Sequence, residues 1–192
     1  MHETRRLLEA AAALSLLLRN ASIPHAFYGS ILTAVLANAP LSDEIFCIVE
    51  GGQNQAHPFR RTRDAVSGNE DFTITHSPWT DRLHVTYRRQ IPAVEIEILP
   101  AGETGPRHLD TSTVMKLQNI PFLTVSEFIR AKLNSWVIRG SERDGQDISY
   151  ALIRYWNRVD INRITEQDMN LFIARNAAAA PAWASLRRKY GM

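Results

Sequence analysis

The stretch Tyr28-Gly29-Ser30, followed after a short apolar segment by Ser42-Asp43-Glu44-Ile45-Phe46-Cys47-Ile48-Val49, decides how this chain is read. Ile23 to Phe27 is apolar and ends in a glycine, Ile31 to Asn38 has the length and composition of a short helix, and Ile45 to Val49 reads as a buried strand. Strand, glycine turn, helix and strand thus follow each other within thirty residues or so. Side chains alternate along a strand, so positions 44 and 46 project from one face. Those positions hold Glu44 and Phe46.

Downstream, Asp71 to His76 and Leu83 to Arg88 predict a hairpin joined through Ser77-Pro78-Trp79-Thr80-Asp81, with His76 and His84 able to face each other across it. Ala93 to Leu99 predicts a third strand, with Val94, Ile96 and Ile98 on one face and Glu95 and Glu97 on the other. Thr113 to Leu117 adds a short strand before Ile120-Pro121. Upstream, Leu7, Ala11, Leu14 and Leu18 recur at helical spacing, and His57 to Val66 predicts another helix with Pro58 in its first turn. Beyond residue 124 the pattern is helical: Val125 to Arg139, Gln146 to Val159, Glu166 to Arg175 and Pro181 to Lys189.

Glycine turn, alternating strand and third acidic strand, in this order and spacing, resemble the nucleotidyltransferases of the polymerase-beta superfamily, specifically the fungal and abortive-infection toxin type. The resemblance implies that the N–H groups opening the helix at Gly29 and Ser30 receive a phosphate group. It also implies that a strand carrying two acids, and a third acid from a neighbouring strand, hold two divalent cations. Thirteen residues separate Ser30 from Glu44, the spacing of the first acid. Glu97 takes the third position, and Glu95 projects from the same face as an alternative. In the helical half, Lys132, Ser135 and Arg139 share a helix face and are followed by Asp144 and Asp147. The resemblance assigns Lys132 to the triphosphate as a mobile cation and the two aspartates to orienting it; the same aspartates also suit the cap and first turn of the helix near Gly145. A surface-tethered ammonium contributes little to folding, so replacing Lys132 is expected to spare thermal stability.

The departures bear on function. Glu44 replaces the first Asp, Phe46 the second, and Pro40 stands where an Arg is common. A phenyl ring cannot ligate Mg²⁺, which demands oxygen ligands in a near-ideal octahedron. Glu44 and Glu97 remain candidates for one Mg²⁺ or Mn²⁺ accompanying a nucleotide. The expected fold is α+β, a nucleotidyltransferase-like mixed sheet flanked by helices, with residues 1–118 as the core and 119–192 as a helical lobe on it, together one structural unit. Three functions follow: nucleotide or small-molecule binding with two-metal transfer reduced or lost; metal-independent acid-base chemistry by Glu44, Glu95 or Glu97, as in specialised metabolism; or a non-catalytic interaction scaffold.

Composition sets outer bounds. At 192 residues and 45% hydrophobic content the chain can bury a core without a staple, and Cys47 alone forms no internal disulfide, which suits a reducing, cytoplasmic setting. The 22 Lys and Arg against 20 Asp and Glu leave +2, too little by itself to argue for a nucleic-acid partner. Glu9 interrupts the apolar run after Arg5-Arg6, which argues against a leader, and no later stretch is apolar enough to span a bilayer. Six scattered histidines give no zinc spacing. The clusters Arg60-Arg61-Thr62-Arg63, Arg88-Arg89 and Arg187-Arg188-Lys189 read as solvated faces or as phosphate or RNA contacts.

Overall fold

A computed structural model describes residues 2–37, 45–52, 56–77, 82–103 and 105–192. Contacts divide the chain into two units, Met1–Leu123 and Thr124–Met192. In the first, α1 (His2–Asn20), β1 (His25–Gly29), α2 (Ser30–Ala37), β2 (Ile45–Val49) and α3 (Pro58–Val66) precede β3 (Phe72–Ser77), β4 (Arg82–Tyr87) and β5 (Val94–Pro100). The hairpin β6 (Val114–Leu117) and β7 (Ile120–Leu123) completes it.

The seven strands form one mixed sheet in the order β3-β4-β5-β2-β1-β7-β6. Two pairings are parallel, β2 with β5 and β1 with β7, and the others are antiparallel. One face carries Phe27, Cys47, Leu83, Ile98 and Phe122, all shielded from solvent. Helices α1 and α3 pack against this face. Helix α1 contributes Leu7, Leu14 and Leu18, each fully buried; burial of a leucine stabilises by roughly 1.5–3 kcal/mol. It is also tied to the sheet by polar bonds. The Tyr87 hydroxyl donates to Glu9 Oε1 at 3.0 Å, and burial together with that carboxylate raises the phenol pKa. Ser15 Oγ lies 2.8 Å from His25 Nε2, and His25 Nδ1 lies 2.8 Å from the Ile23 carbonyl. A carbonyl only accepts, so Nδ1 carries the proton and Nε2 accepts from Ser15.

Several expected elements are redrawn. β1 starts at His25 because Pro24 has no N–H for a ladder. β7 was not foreseen. Its hairpin turns through Gln118 (φ 51°) and Asn119 (φ 64°), a pair of left-handed residues without the usual glycine, and Pro121 disguises the strand. The register sets Thr75, not His76, opposite His84, so the two histidines are not a cross-strand pair.

The second unit is helical: α4 (Val125–Arg139), α5 (Glu142–Tyr155), α6 (Glu166–Arg175) and α7 (Ala180–Lys189). Thr124 caps α4, accepting from the Glu127 N–H, and Gly140 closes it with φ 64°. α4 packs on α5 and α6, and α5 on α7. Phe128, Leu133, Trp136, Ile148, Leu152, Phe172 and Leu186 fill the interior. Helix α5 begins four residues before the expected Gln146, because Ser141 is its cap; the Ser141 hydroxyl accepts from the Asp144 N–H. It also ends at Tyr155, where a short 3₁₀ turn over 156–158 takes the chain to Val159.

Candidate functional site

The β1–α2 junction needs its glycine. Gly29 ends β1 with φ 99°, a conformation that L side chains rarely adopt, and the chain enters α2 at Ser30 with no loop between. Ser30 is fully buried, and Thr33 Oγ1 donates to its carbonyl at 2.9 Å. Helix α2 packs on β1 and on α1.

That row is set by register. Tyr28 pairs with Phe46, Phe46 with Glu97, and Glu97 with His84. Adjacent strands lie about 4.8 Å apart, so Glu97 sits two strands, roughly 10 Å, from Tyr28 and close to the Gly29-Ser30 turn. Register thus places Phe46 beside Glu97, with Tyr28 and the following Gly29 one strand further on. Glu95 is exposed on the same face, opposite Thr86. Glu44 lies outside the described residues, as do Asp43 and Pro40.

The chemistry of the row differs from that of an acid pair. The Tyr28 and Phe46 rings stack, with centroids 5.0 Å apart and planes at 28°. Glu97 forms an ion pair with Arg82, which stands diagonally from it on β4. Sequence reasoning missed both partners, although Arg82 lies one step before the alternating run Leu83, Val85 and Tyr87. Among the described residues, no three His, Cys, Asp or Glu side chains are grouped so that they could hold a metal ion.

Lower on the same face, the 101–113 connection crosses the sheet. A Cβ on Gly105 would stand 2.4 Å from Ile48 Cδ1, so only a glycine lets this segment approach so closely. Glu50 pins the connection: Oε2 accepts from the Leu109 N–H at 3.2 Å and Oε1 lies 3.1 Å from His108 Nδ1. Ile48 is covered, and the Tyr28, Phe46, Glu97 and His84 row is the part of this face on which polar and aromatic groups converge.

In the helical unit, Lys132, Asp144 and Asp147 come together. Lys132 Nζ lies 3.2 Å from Asp144 Oδ1 and 3.2 Å from Asp147 Oδ2, and Ser135 Oγ donates to Asp144 Oδ2 at 2.8 Å. Lys132 is 2% exposed, which corrects the expectation of a surface-tethered ammonium: the helix face shared with Ser135 is turned to α5. Arg139, expected on the same strip, is exposed. Asp144 is the third residue of α5 and not its cap.

No protein-family model matches the chain, and no curated protein matches it either. Solved structures do. An antigenic nucleotidyltransferase-like protein from Paracoccidioides brasiliensis superimposes with a TM-score of 0.67 at 17% identity, covering 95% of this chain and 92% of its own. The fold is nucleotidyltransferase-like. JHP933 from Helicobacter pylori matches over 100% of this chain and 96% of its own, with a TM-score of 0.57 and 14% identity. A putative nucleotidyltransferase from H. pylori covers 95% and 80%, with a TM-score of 0.53 and 16% identity. At such identities the likeness establishes the architecture, a mixed seven-stranded sheet flanked by helices, and leaves activity to be argued from this chain's own side chains. No helix among the described residues is long and apolar enough to cross a membrane.

Proposed function

We propose that this chain is a divergent nucleotidyltransferase-fold protein that binds a nucleotide or another small molecule on the open sheet face, with two-metal nucleotidyl transfer reduced or lost. The observation that supports this most directly is the stack of Tyr28 on Phe46 beside the Glu97–Arg82 ion pair. Where the fold's chemistry needs a second carboxylate there is an aromatic stack, and the neighbouring carboxylate is paired with a guanidinium. Mg²⁺ requires oxygen ligands in a strict geometry, which the phenyl ring of Phe46 does not supply. The arrangement suits metal-independent binding: the half-buried Phe46 ring, backed by the buried Tyr28, offers an aromatic contact for a planar ligand, and the N-terminus of α2, which begins at Ser30, would bring N–H groups and a positive dipole end to an anionic group.

Calorimetry with ATP and GTP, each with Mg²⁺ and with chelator, tests the reading. Binding that survives chelation is the expected result. Phe46→Asp combined with Glu44→Asp is expected to convert it into Mg²⁺-dependent binding, because strand alternation puts both positions on one face. Mg²⁺- or Mn²⁺-dependent transfer of an α-labelled nucleotide by the unmodified protein would overturn the proposal.

A further inference from the structure

The helical unit carries a concave surface of a different kind, independent of the sheet face. Trp156, Asn157, Ser185, Arg188 and Lys189 line an open groove of about 620 Å³ where the end of α5 and its 3₁₀ turn meet α7. No acid lines it. Its polar groups are held in place: Lys189 Nζ donates to the Asn157 carbonyl at 2.6 Å, and Arg188 reaches Ser185 Oγ at 3.5 Å.

The same helices and their ends, with rings outside the groove's own lining, repeat one pairing, a cation against an aromatic ring. Lys189 Nζ is 5.7 Å from the Tyr190 ring centroid, Arg158 is 6.0 Å from Tyr155, and Arg154 is 5.2 Å from Tyr150. These elements cluster at one end of the helical unit, since α7 packs on α5 and on the 156–158 turn. Charge follows the same division. Residues 124–192 hold eleven Lys and Arg against seven Asp and Glu, a balance of +4, whereas residues 1–123 hold eleven against thirteen, a balance of −2. The overall +2 conceals that split.

We propose that this groove binds single-stranded RNA. The two cations and the one indole that line the groove complement phosphates and a stacked base, and base-on-ring stacking is tolerant of sequence. An acidic peptide would satisfy the charges and leave the Trp156 indole without a flat partner, and a lipid surface would need a convex apolar face in place of a polar groove. Asn157 and Ser185 supply both donor and acceptor for a ribose 2′-hydroxyl, which DNA lacks.

Fluorescence anisotropy with a labelled oligo(A) of about twelve nucleotides, titrated with the full chain, tests this, with oligo(dA), polyphosphate, polyglutamate and phosphatidylserine vesicles as competitors. Single-stranded RNA is expected to bind more tightly than the matched DNA and to outcompete polyphosphate and polyglutamate of equal charge. Over about 50–200 mM KCl, the Arg188→Ala and Lys189→Ala variants should each lower the slope of log affinity against log salt by about 0.7. Trp156→Ala should weaken binding about fivefold or more. Should that variant not fold, Trp156→Phe is expected to lose most of the RNA-induced tryptophan quenching, leaving only what the other three tryptophans contribute. No binding by the unmodified chain at low salt, an unaltered slope in both charge variants, quenching undiminished in Trp156→Phe, or equal competition by polyphosphate or vesicles would each overturn the proposal.

Discussion

Replacing Lys132 by methionine gives the sharpest test of how the helical unit is held together. The ammonium sits 3.2 Å from one oxygen of Asp144 and 3.2 Å from one of Asp147, and the two acids are 8% and 0% exposed. Methionine nearly fills the lysine stem, so the cavity contribution is small and the electrostatic one dominates. Two carboxylates would then face each other in a poorly solvated site without this cation. Removing one partner of a buried ion pair typically costs about 3–5 kcal/mol, a large share of the roughly 5–15 kcal/mol that stabilises a native protein. For a chain of this length, about 2–4 °C in Tm per kcal/mol predicts a fall of about 6–20 °C. Thermal unfolding followed by far-UV circular dichroism and by tryptophan fluorescence, to which Trp136 on α4 contributes, reads the change. Adding Asp147→Asn to Lys132→Met removes the like-charge conflict and is expected to recover much of the loss. A single variant within about 2 °C of the unmodified protein, or a double variant no better than the single, would refute the reasoning.

Two further predictions come from the sheet unit. Burial holds the His25 pKa below its ordinary 6.5, so below that pH the unfolded chain takes up a proton that the folded chain resists; stability present above pH 6.5 is lost as pH falls towards the folded pKa, and Ser15→Ala/His25→Gln should flatten this part of the urea-midpoint profile, an unchanged slope counting against the neutral Ser15–His25 pair. Gly105→Ala places a methyl 2.4 Å from Cδ1 of the fully buried Ile48 and should destabilise by about 1–3 kcal/mol; Ile48→Val deletes that atom and should relieve part of the cost in a double-mutant cycle, whereas strictly additive effects would mean the connection simply moves aside.

Much of the architecture was legible because it depends on local pattern. The alternation in β5 and the glycine before α2 are read from neighbouring residues, and both are where the sequence places them. What stayed hidden depends on pairing between distant residues. A Gln118-Asn119 turn without glycine and a proline within four residues conceal β7, although its backbone closes the sheet beside β1. Two aspartates that suit a helix start drew attention away from Ser141, the residue that caps α5. Periodicity put Lys132 and Ser135 on one face of α4, yet only the packing of α5 shows that this face is internal. Charge was misleading for a similar reason, since a whole-chain balance averages a basic unit with an acidic one.

The candidate site divides along the same line. That Phe46 stands where the sequence resemblance expects a carboxylate is read from one position in one strand; that Tyr28 stacks on its ring and Arg82 pairs with Glu97 follows from register across three neighbouring strand pairs. Together these contacts change what the face can attract. A carboxylate on a partly buried sheet face needs a cation, and Arg82 meets that need with a single fixed charge where metal ions would bring more. With Glu97 so neutralised, the remaining attraction for an anion under the proposed reading comes from the N-terminus of α2, worth about the half charge of a helix dipole. Such a field favours a ligand with one anionic group over a triphosphate, whose accumulated charge would find little to balance it on this face. The aromatic stack then carries the larger share of recognition, so a planar ring with a single phosphate or carboxylate should bind there more tightly than ATP does.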